Sequence, residues 1–167
     1  VQYQCDIHSY ALLPSEVHVL VTPHIEGAVS QMMQSLGRRY VQYINHHYHR
    51  SGTLWEGRYK SSLVDSSGYL ITCSRYIEML PVDRRLSDVP ESYRWSSYRH
   101  HAFAEENSLL TAHSTFLELG ETAKKRAKAY KEFTGFELDP GIKKHIAETV
   151  AMEMVLGGDL FKYRMQE

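Results

Sequence analysis

The sequence predicts an α+β fold, and three observations carry that expectation. Two short apolar stretches near the N-terminus alternate at a strand period, and a long apolar stripe at helical spacing follows them directly. A second helical stripe begins after a Ser/Gly turn, and the last third of the chain is Lys/Glu-rich with helical patterning and few aromatics. With 167 residues, 43% of them hydrophobic, the chain is long enough to bury a real core.

The elements follow in order. Residues 5–13 read as a strand ended by Pro14-Ser15. In the next segment Val17, Val19 and Val21 alternate with Glu16, His18 and Leu20, giving a second strand ended by Pro23 and, with the first, a hairpin. Over residues 26–48, Val29, Met32, Met33, Leu36, Tyr40, Tyr43 and Ile44 recur at threes and fours, the stripe of an amphipathic helix, with Arg38, Arg39 and Gln42 off it. Ser51-Gly52 breaks that helix, and a third strand is expected within residues 54–64. Asp65-Ser66-Ser67-Gly68 is a turn and N-cap signal for a second helix through Tyr69, Leu70, Cys73, Tyr76, Ile77 and Leu80, expected to stop at Pro81. Beyond a polar stretch around Pro90, helices are expected at residues 123–134 and 142–156, and Gly157-Gly158 punctuates before a short tail helix. The expected domains are residues 1–102 and a helical C-terminal extension, residues 103–167.

Composition excludes several classes. No run approaches the roughly 18 to 20 apolar residues of a membrane span. The first residues, Val1-Gln2-Tyr3-Gln4-Cys5-Asp6, have neither the basic nor the apolar region of a signal peptide. Cys5 and Cys73 are too few for a disulfide scaffold and too far apart for a metal pair, which points to a reducing, cytoplasmic home. The chain opens at Val1, directly in a strand-like segment, so a preceding N-terminal piece is expected. The formal net charge of −1 conceals an uneven spread: residues 1–29 carry −3, 30–62 carry +4, 63–102 balance and 103–167 carry −2. A basic middle segment in a near-neutral chain is either a solvated helix face or a surface for a polyanion.

Three groups of residues could carry chemistry. Glu16 and His18 are two apart on a strand, so a carboxylate and an imidazole share one face while the valines point to the other. Such a pair is a metal-site candidate, although a strand histidine is more often structural. Tyr76 lies mid-helix between Cys73 and Leu80 and reads either as a half-buried core tyrosine or as a functional phenol. Leu54-Trp55-Glu56-Gly57-Arg58-Tyr59-Lys60 interleaves aromatics with cations, the combination that stacks on bases and neutralises phosphates of single-stranded nucleic acid. His46, His47, His49, His100 and His101 have no spacing that compels a metal site and read as solvated or phosphate-contacting.

Four ordered motifs together resemble a known family. Residues 9–23, Ser9-Tyr10-Ala11-Leu12-Leu13-Pro14-Ser15-Glu16-Val17-His18-Val19-Leu20-Val21-Thr22-Pro23, are followed by Gly52-Thr53-Leu54-Trp55-Glu56-Gly57-Arg58-Tyr59-Lys60-Ser61-Ser62. Arg75-Tyr76-Ile77-Glu78-Met79-Leu80-Pro81-Val82 and Tyr93-Arg94-Trp95-Ser96-Ser97-Tyr98 complete the set. Residues 5–102 thereby resemble the single-tyrosine HUH transposases, closest to the REP-associated tyrosine transposases, and the Gly157-Gly158-Asp159-Leu160-Phe161 tail is similar to longer members of that branch.

The resemblance implies a ferredoxin-like antiparallel sheet with helices on one face, preceded by a strand and helix that lie outside this chain. It implies Tyr76 as a nucleophile that attacks a phosphodiester of hairpin-forming single-stranded DNA to give a 5′-phosphotyrosine intermediate. It implies Mg²⁺ or Mn²⁺ as cofactor with His18 as a metal ligand, and Trp55 and Arg58 in a DNA-facing region. Glu16 is expected as the second ligand because a carboxylate suits a hard ion, and Arg38, Arg39, Arg50 and Lys60 of the basic segment are expected to bind DNA with Trp55 and Arg58. Glu16 stands where the family has the first histidine of its pair, and Leu80 where a polar residue is common four positions after the tyrosine. Two protein ligands are too few to hold a free ion tightly, so metal affinity is expected to be weak or DNA-dependent. The implied setting is cytoplasmic and nucleoid-associated, with no membrane partner and with monomer and homodimer both open. The alternative is a domesticated, catalytically impaired protein that binds hairpin DNA.

Overall fold

A computed structural model of the protein describes residues 3–165. The fold is α+β. Strand β1 (Cys5–Leu12) pairs with β2 (Val17–Pro23) in a two-stranded antiparallel sheet, and the turn at Pro14-Ser15 is closed by Leu13 N–H donating to the Glu16 carbonyl at 2.9 Å. Single bridges extend β1: Ile7 meets Leu110 in parallel and Ala11 meets Ser96 antiparallel.

The third strand expected within residues 54–64 does not form. Only Val64 bridges, in parallel with Leu156. Local bonds take the backbone instead: Thr53 Oγ1 accepts from Trp55 N–H at 3.1 Å, and Gly52 and Gly57 adopt φ of +94° and +119°, which a pleated strand cannot include.

Helix α1 (Ala28–His47) starts at Gly27, whose φ of +76° reverses the chain after β2. Its predicted apolar stripe is only partly used: Met32 is buried, as is Ala28 outside the stripe, whereas Leu36, Tyr40 and Tyr43 are exposed. Helix α2 (Ser66–Asp83) begins as expected, with Asp65 Oδ1 accepting from Ser67 N–H at 3.0 Å. It does not stop at Pro81. That proline falls in the last turn, where its missing N–H removes one intrahelical bond, while Arg84 and Leu86 N–H cap the Leu80 and Pro81 carbonyls at 2.8 Å each.

A 3₁₀ turn at Pro90–Ser92 leads to α3 (Tyr98–Phe103), α4 (Ser114–Leu117), α5 (Ala123–Thr134), α6 (Pro140–Ala151) and α7 (Asp159–Arg164). Helix α5 has the expected bounds. Helix α6 starts earlier than residue 142, because Asp139 caps it and Pro140 suits the first helical position, and it ends before residue 156. Leu156 leaves the helix to bridge Val64 instead.

The described residues divide into two compact units, 3–6 with 21–60 and 7–20 with 61–165. Two clusters build the core of the larger unit. Tyr98, Ala102, Phe116 and Tyr130 form one, so residues on both sides of position 102 share it. Cys73, Ile146 and Leu156 form the other, with Leu20, Val64, Tyr69 and Tyr76 packed against it. Full burial of a side chain such as Leu156 contributes roughly 1.5–3 kcal/mol. Among the described residues, no helix is long and apolar enough to cross a membrane.

Candidate functional site

Strand alternation puts Glu16, His18 and Leu20 on one side of the hairpin, and Leu20 shows which way that side looks: it packs into the cluster that includes Tyr76. Glu16 sits on the turn just before β2 and His18 within it. Their side chains meet, His18 Nε2 lying 3.1 Å from Glu16 Oε2. The other carboxylate oxygen accepts from Arg84 Nε at 2.9 Å, where Arg84 caps the C-terminus of α2. Burial acts to raise the Glu16 carboxyl, but the hydrogen bonds and charges of His18 and Arg84 outweigh it and hold the group below the usual carboxylate range.

Tyr76 is half-buried in the middle of α2. Burial pushes its phenol above the ordinary value; Arg84 opposes that shift, while Glu16 and Asp83 add to it. The phenol therefore feels the charge of both members of the Glu16–Arg84 pair, and in the same unit as Tyr76 the predicted Glu16 and His18 meet a third residue, Arg84, that sequence reasoning passed over. Its signal was faint, an arginine beyond a proline taken for the end of the helix.

A divalent ion does not fit these residues well. Both Glu16 oxygens are engaged, one of them by a guanidinium that a second cation would have to displace. Leu80 is buried, only 3% exposed, and has no donor atom. Among the described residues no three His, Cys, Asp or Glu side chains gather as a metal site.

Deeper in the same unit lies a polar cluster the sequence did not reveal. Glu78 is fully buried and accepts from Ser97 Oγ, from the Tyr130 hydroxyl at 2.7 Å and, through its Oε1, approaches His101 Nδ1 at 2.6 Å. His101, read as solvated or phosphate-contacting, is 4% exposed and sits between Phe116 and Tyr130. A buried carboxylate survives only with such partners. The clue was Glu78 lying beside the apolar positions of α2 rather than opposite them.

In the smaller unit the other predicted residues lie on α1 and on residues 48–60. Trp55 Nε1 donates to the Gly37 carbonyl at 3.3 Å, and its ring stands 5.7 Å from Tyr40. A Cβ at position 37 would come within 3.3 Å of that nitrogen, so glycine lets the indole approach the helix. Asn45 Nδ2 to the Gly52 carbonyl at 2.9 Å and Ser30 Oγ with the Tyr59 hydroxyl at 2.7 Å hold the same segment down. Arg38, Arg39, Arg50, Arg58 and Lys60 are all exposed, with Tyr40, Tyr43 and Tyr48 exposed among them and His47 stacked on Tyr43 at 5.7 Å. Cationic and aromatic groups thus share this unit's surface.

Residues 1–79, a segment that carries Glu16, His18, Trp55 and Tyr76, match the family described as transposase IS200 like. No curated protein and no solved structure matches the chain.

Proposed function

We propose that the protein acts on DNA as a single-tyrosine strand-transferase of the REP-associated kind, binding hairpin-forming single-stranded DNA and attacking one phosphodiester with Tyr76. The observation that carries this reading is the cluster of Glu16 with His18 and Arg84, whose charged members Glu16 and Arg84 act electrostatically on the half-buried Tyr76 phenol of the same unit; Glu16, His18 and Tyr76 lie within the matched segment. In the step, the Tyr76 oxygen bonds to phosphorus and the bond from phosphorus to the 3′-oxygen breaks. The phenolic proton passes to solvent and the departing 3′-oxygen takes one up. The resulting 5′-phosphotyrosine retains the bond for rejoining.

The residues of the chain divide the work. Arg38, Arg39, Arg50, Arg58 and Lys60 neutralise phosphates, and Trp55 with Tyr40 offers faces for unpaired bases. His18 and Arg84 fix the Glu16 carboxylate, and the positive charge of Arg84 favours the Tyr76 phenolate. The Mg²⁺ or Mn²⁺ that the resemblance implies is poorly suited to this donor set, in which both Glu16 oxygens are already engaged.

The test is incubation with a labelled single-stranded hairpin, then a denaturing gel. A protein–DNA adduct that Tyr76→Phe abolishes supports the reading. Hairpin binding without adduct leaves the second reading, a binding protein that does not cut, which the burial-raised Tyr76 phenol favours.

A further inference from the structure

We propose that Arg84 is a phosphate-binding residue of this site, its guanidinium supplying, from the end of the helix that carries Tyr76, the positive charge for which a divalent ion is a poor match. The ligand is a DNA phosphodiester, so the inference rests on the DNA-directed reading above.

Position argues first. Tyr76, Leu80 and Arg84 are spaced four apart along one side of α2, so the cation arrives one turn beyond the position where a third donor is replaced by leucine. Arg84 is the C-cap of the helix, where the partial negative charge of the last carbonyls favours a cation. Geometry argues next. Nε is committed to Glu16 Oε1 at 2.9 Å, which aims the guanidinium, while the side chain is 56% exposed and its two terminal nitrogens make no hydrogen bond among the described residues. A planar guanidinium can hold a carboxylate through Nε and still present two parallel N–H groups to the oxygens of one phosphate.

Charge argues last. Glu16 alone would repel a phosphate, and Arg84 neutralises it. Asp83, the other carboxylate felt by Tyr76, is paired with Lys143 Nζ at 2.8 Å, and Arg85 adds one more exposed cation next to Arg84. Glu137 also lies 3.7 Å from Lys143, so these groups balance, and without any metal the site meets a phosphate with no net negative charge. In the covalent step Arg84 gives up no proton and forms no bond; it compensates charge on the phosphate.

The experiment measures binding of a labelled single-stranded DNA hairpin by fluorescence anisotropy, in excess EDTA and in excess Mn²⁺, for the wild type, Arg84→Ala and Arg84→Lys. Binding of Mn²⁺ alone is read by electron paramagnetic resonance on the same proteins. The expected result is wild-type affinity indifferent to EDTA, and a loss of about tenfold or more in Arg84→Ala that Mn²⁺ partly restores. Arg84→Lys, with charge but no fork, should fall between. Arg84→Ala should take up more Mn²⁺ than the wild type, since Glu16 Oε1 is then released to hold it. Wild-type hairpin binding that collapses in EDTA, or Arg84→Ala binding both hairpin and Mn²⁺ as the wild type does, would overturn the assignment while leaving the DNA reading intact. A wild type that binds no hairpin in either condition overturns both.

Discussion

The Tyr130 hydroxyl of α5 donates to Glu78 Oε2 of α2 at 2.7 Å, with both side chains fully buried. This bond ties the C-terminal helices to the helix that carries Tyr76. Burial and the adjacent Glu78 keep the Tyr130 phenol protonated, its proton affinity raised well above the ordinary value, so the donor persists across the accessible pH range.

Tyr130→Phe removes that donor and leaves a buried carboxylate oxygen short of a partner. A loss of about 1–3 kcal/mol in unfolding free energy is expected by urea titration. Glu78→Ala should cost more than Tyr130→Phe, since Ser97 and His101 lose their acceptor too. Equal stability of Tyr130→Phe and wild type would show that the cluster is satisfied without Tyr130.

The Tyr76 phenol gives a pH prediction. Burial raises it, so its neutral form persists above the ordinary value of 10.0. Because the folded state holds that proton more tightly than the unfolded chain, the associated stability is present below the unfolded value and is lost as pH rises through the folded one. Adduct formation should therefore keep rising through the neutral and mildly alkaline range rather than level off below pH 10. Since Arg84 lowers the phenol and Glu16 raises it, Arg84→Met should shift the titration upward and Glu16→Gln downward. Carbon-13 NMR of ring-labelled tyrosine, assigned with Tyr76→Phe, reads the order directly; the reverse order would break the electrostatic link between these residues.

The exposed cations of the smaller unit predict a salt dependence. If Arg38, Arg39, Arg50, Arg58 and Lys60 track the backbone, hairpin affinity should fall with a log–log slope of about −0.7 per phosphate neutralised, and reversing charge at Arg38 and Arg39 should flatten it. Trp55→Ala should cost roughly 1–3 kcal/mol of binding from lost stacking. Affinity that is constant from low to high salt would return these side chains to the role of a solvated face.

Much of this was legible in the sequence for reasons that are local. The hairpin, α1, the Asp65 cap and α5 are written in alternation, period and capping residues that sit next to one another in the chain. The Glu16–His18 pair was legible for the same reason, two residues apart on a strand. What escaped depends on partners far away in sequence. Arg84 finds Glu16 across 68 positions and Tyr130 finds Glu78 across 52, and no periodicity announces either. The third strand failed because alternation within residues 54–64 is broken by Glu56-Gly57-Arg58, and the α1 stripe stayed exposed because period reports which residues are apolar, not what covers them.

Gly157 offers the last test, at the joint between the tail and the start of α2. It is buried, and a Cβ there would stand 2.4 Å from Phe161 Cδ1 and 3.0 Å from Asp65 Cβ, distances at which something must move. Asp65 is the N-cap of the helix that presents Tyr76, and its own N–H donates to the Leu156 carbonyl at 2.8 Å, so the strain falls on the segment that sets the register of α2. Gly157→Ala should lower stability by about 1–3 kcal/mol, the usual cost of forcing a methyl into filled space. Gly158 supplies the control: nothing lies within 4 Å of its Cβ position and it precedes α7 as an N-cap, so Gly158→Ser should change stability by no more than about 0.5 kcal/mol. Thermal melts of the two variants side by side separate a steric requirement at 157 from a general dislike of side chains in the Gly-Gly turn; equal melting temperatures would mean that Phe161 swings away freely and that the tail does not brace α2.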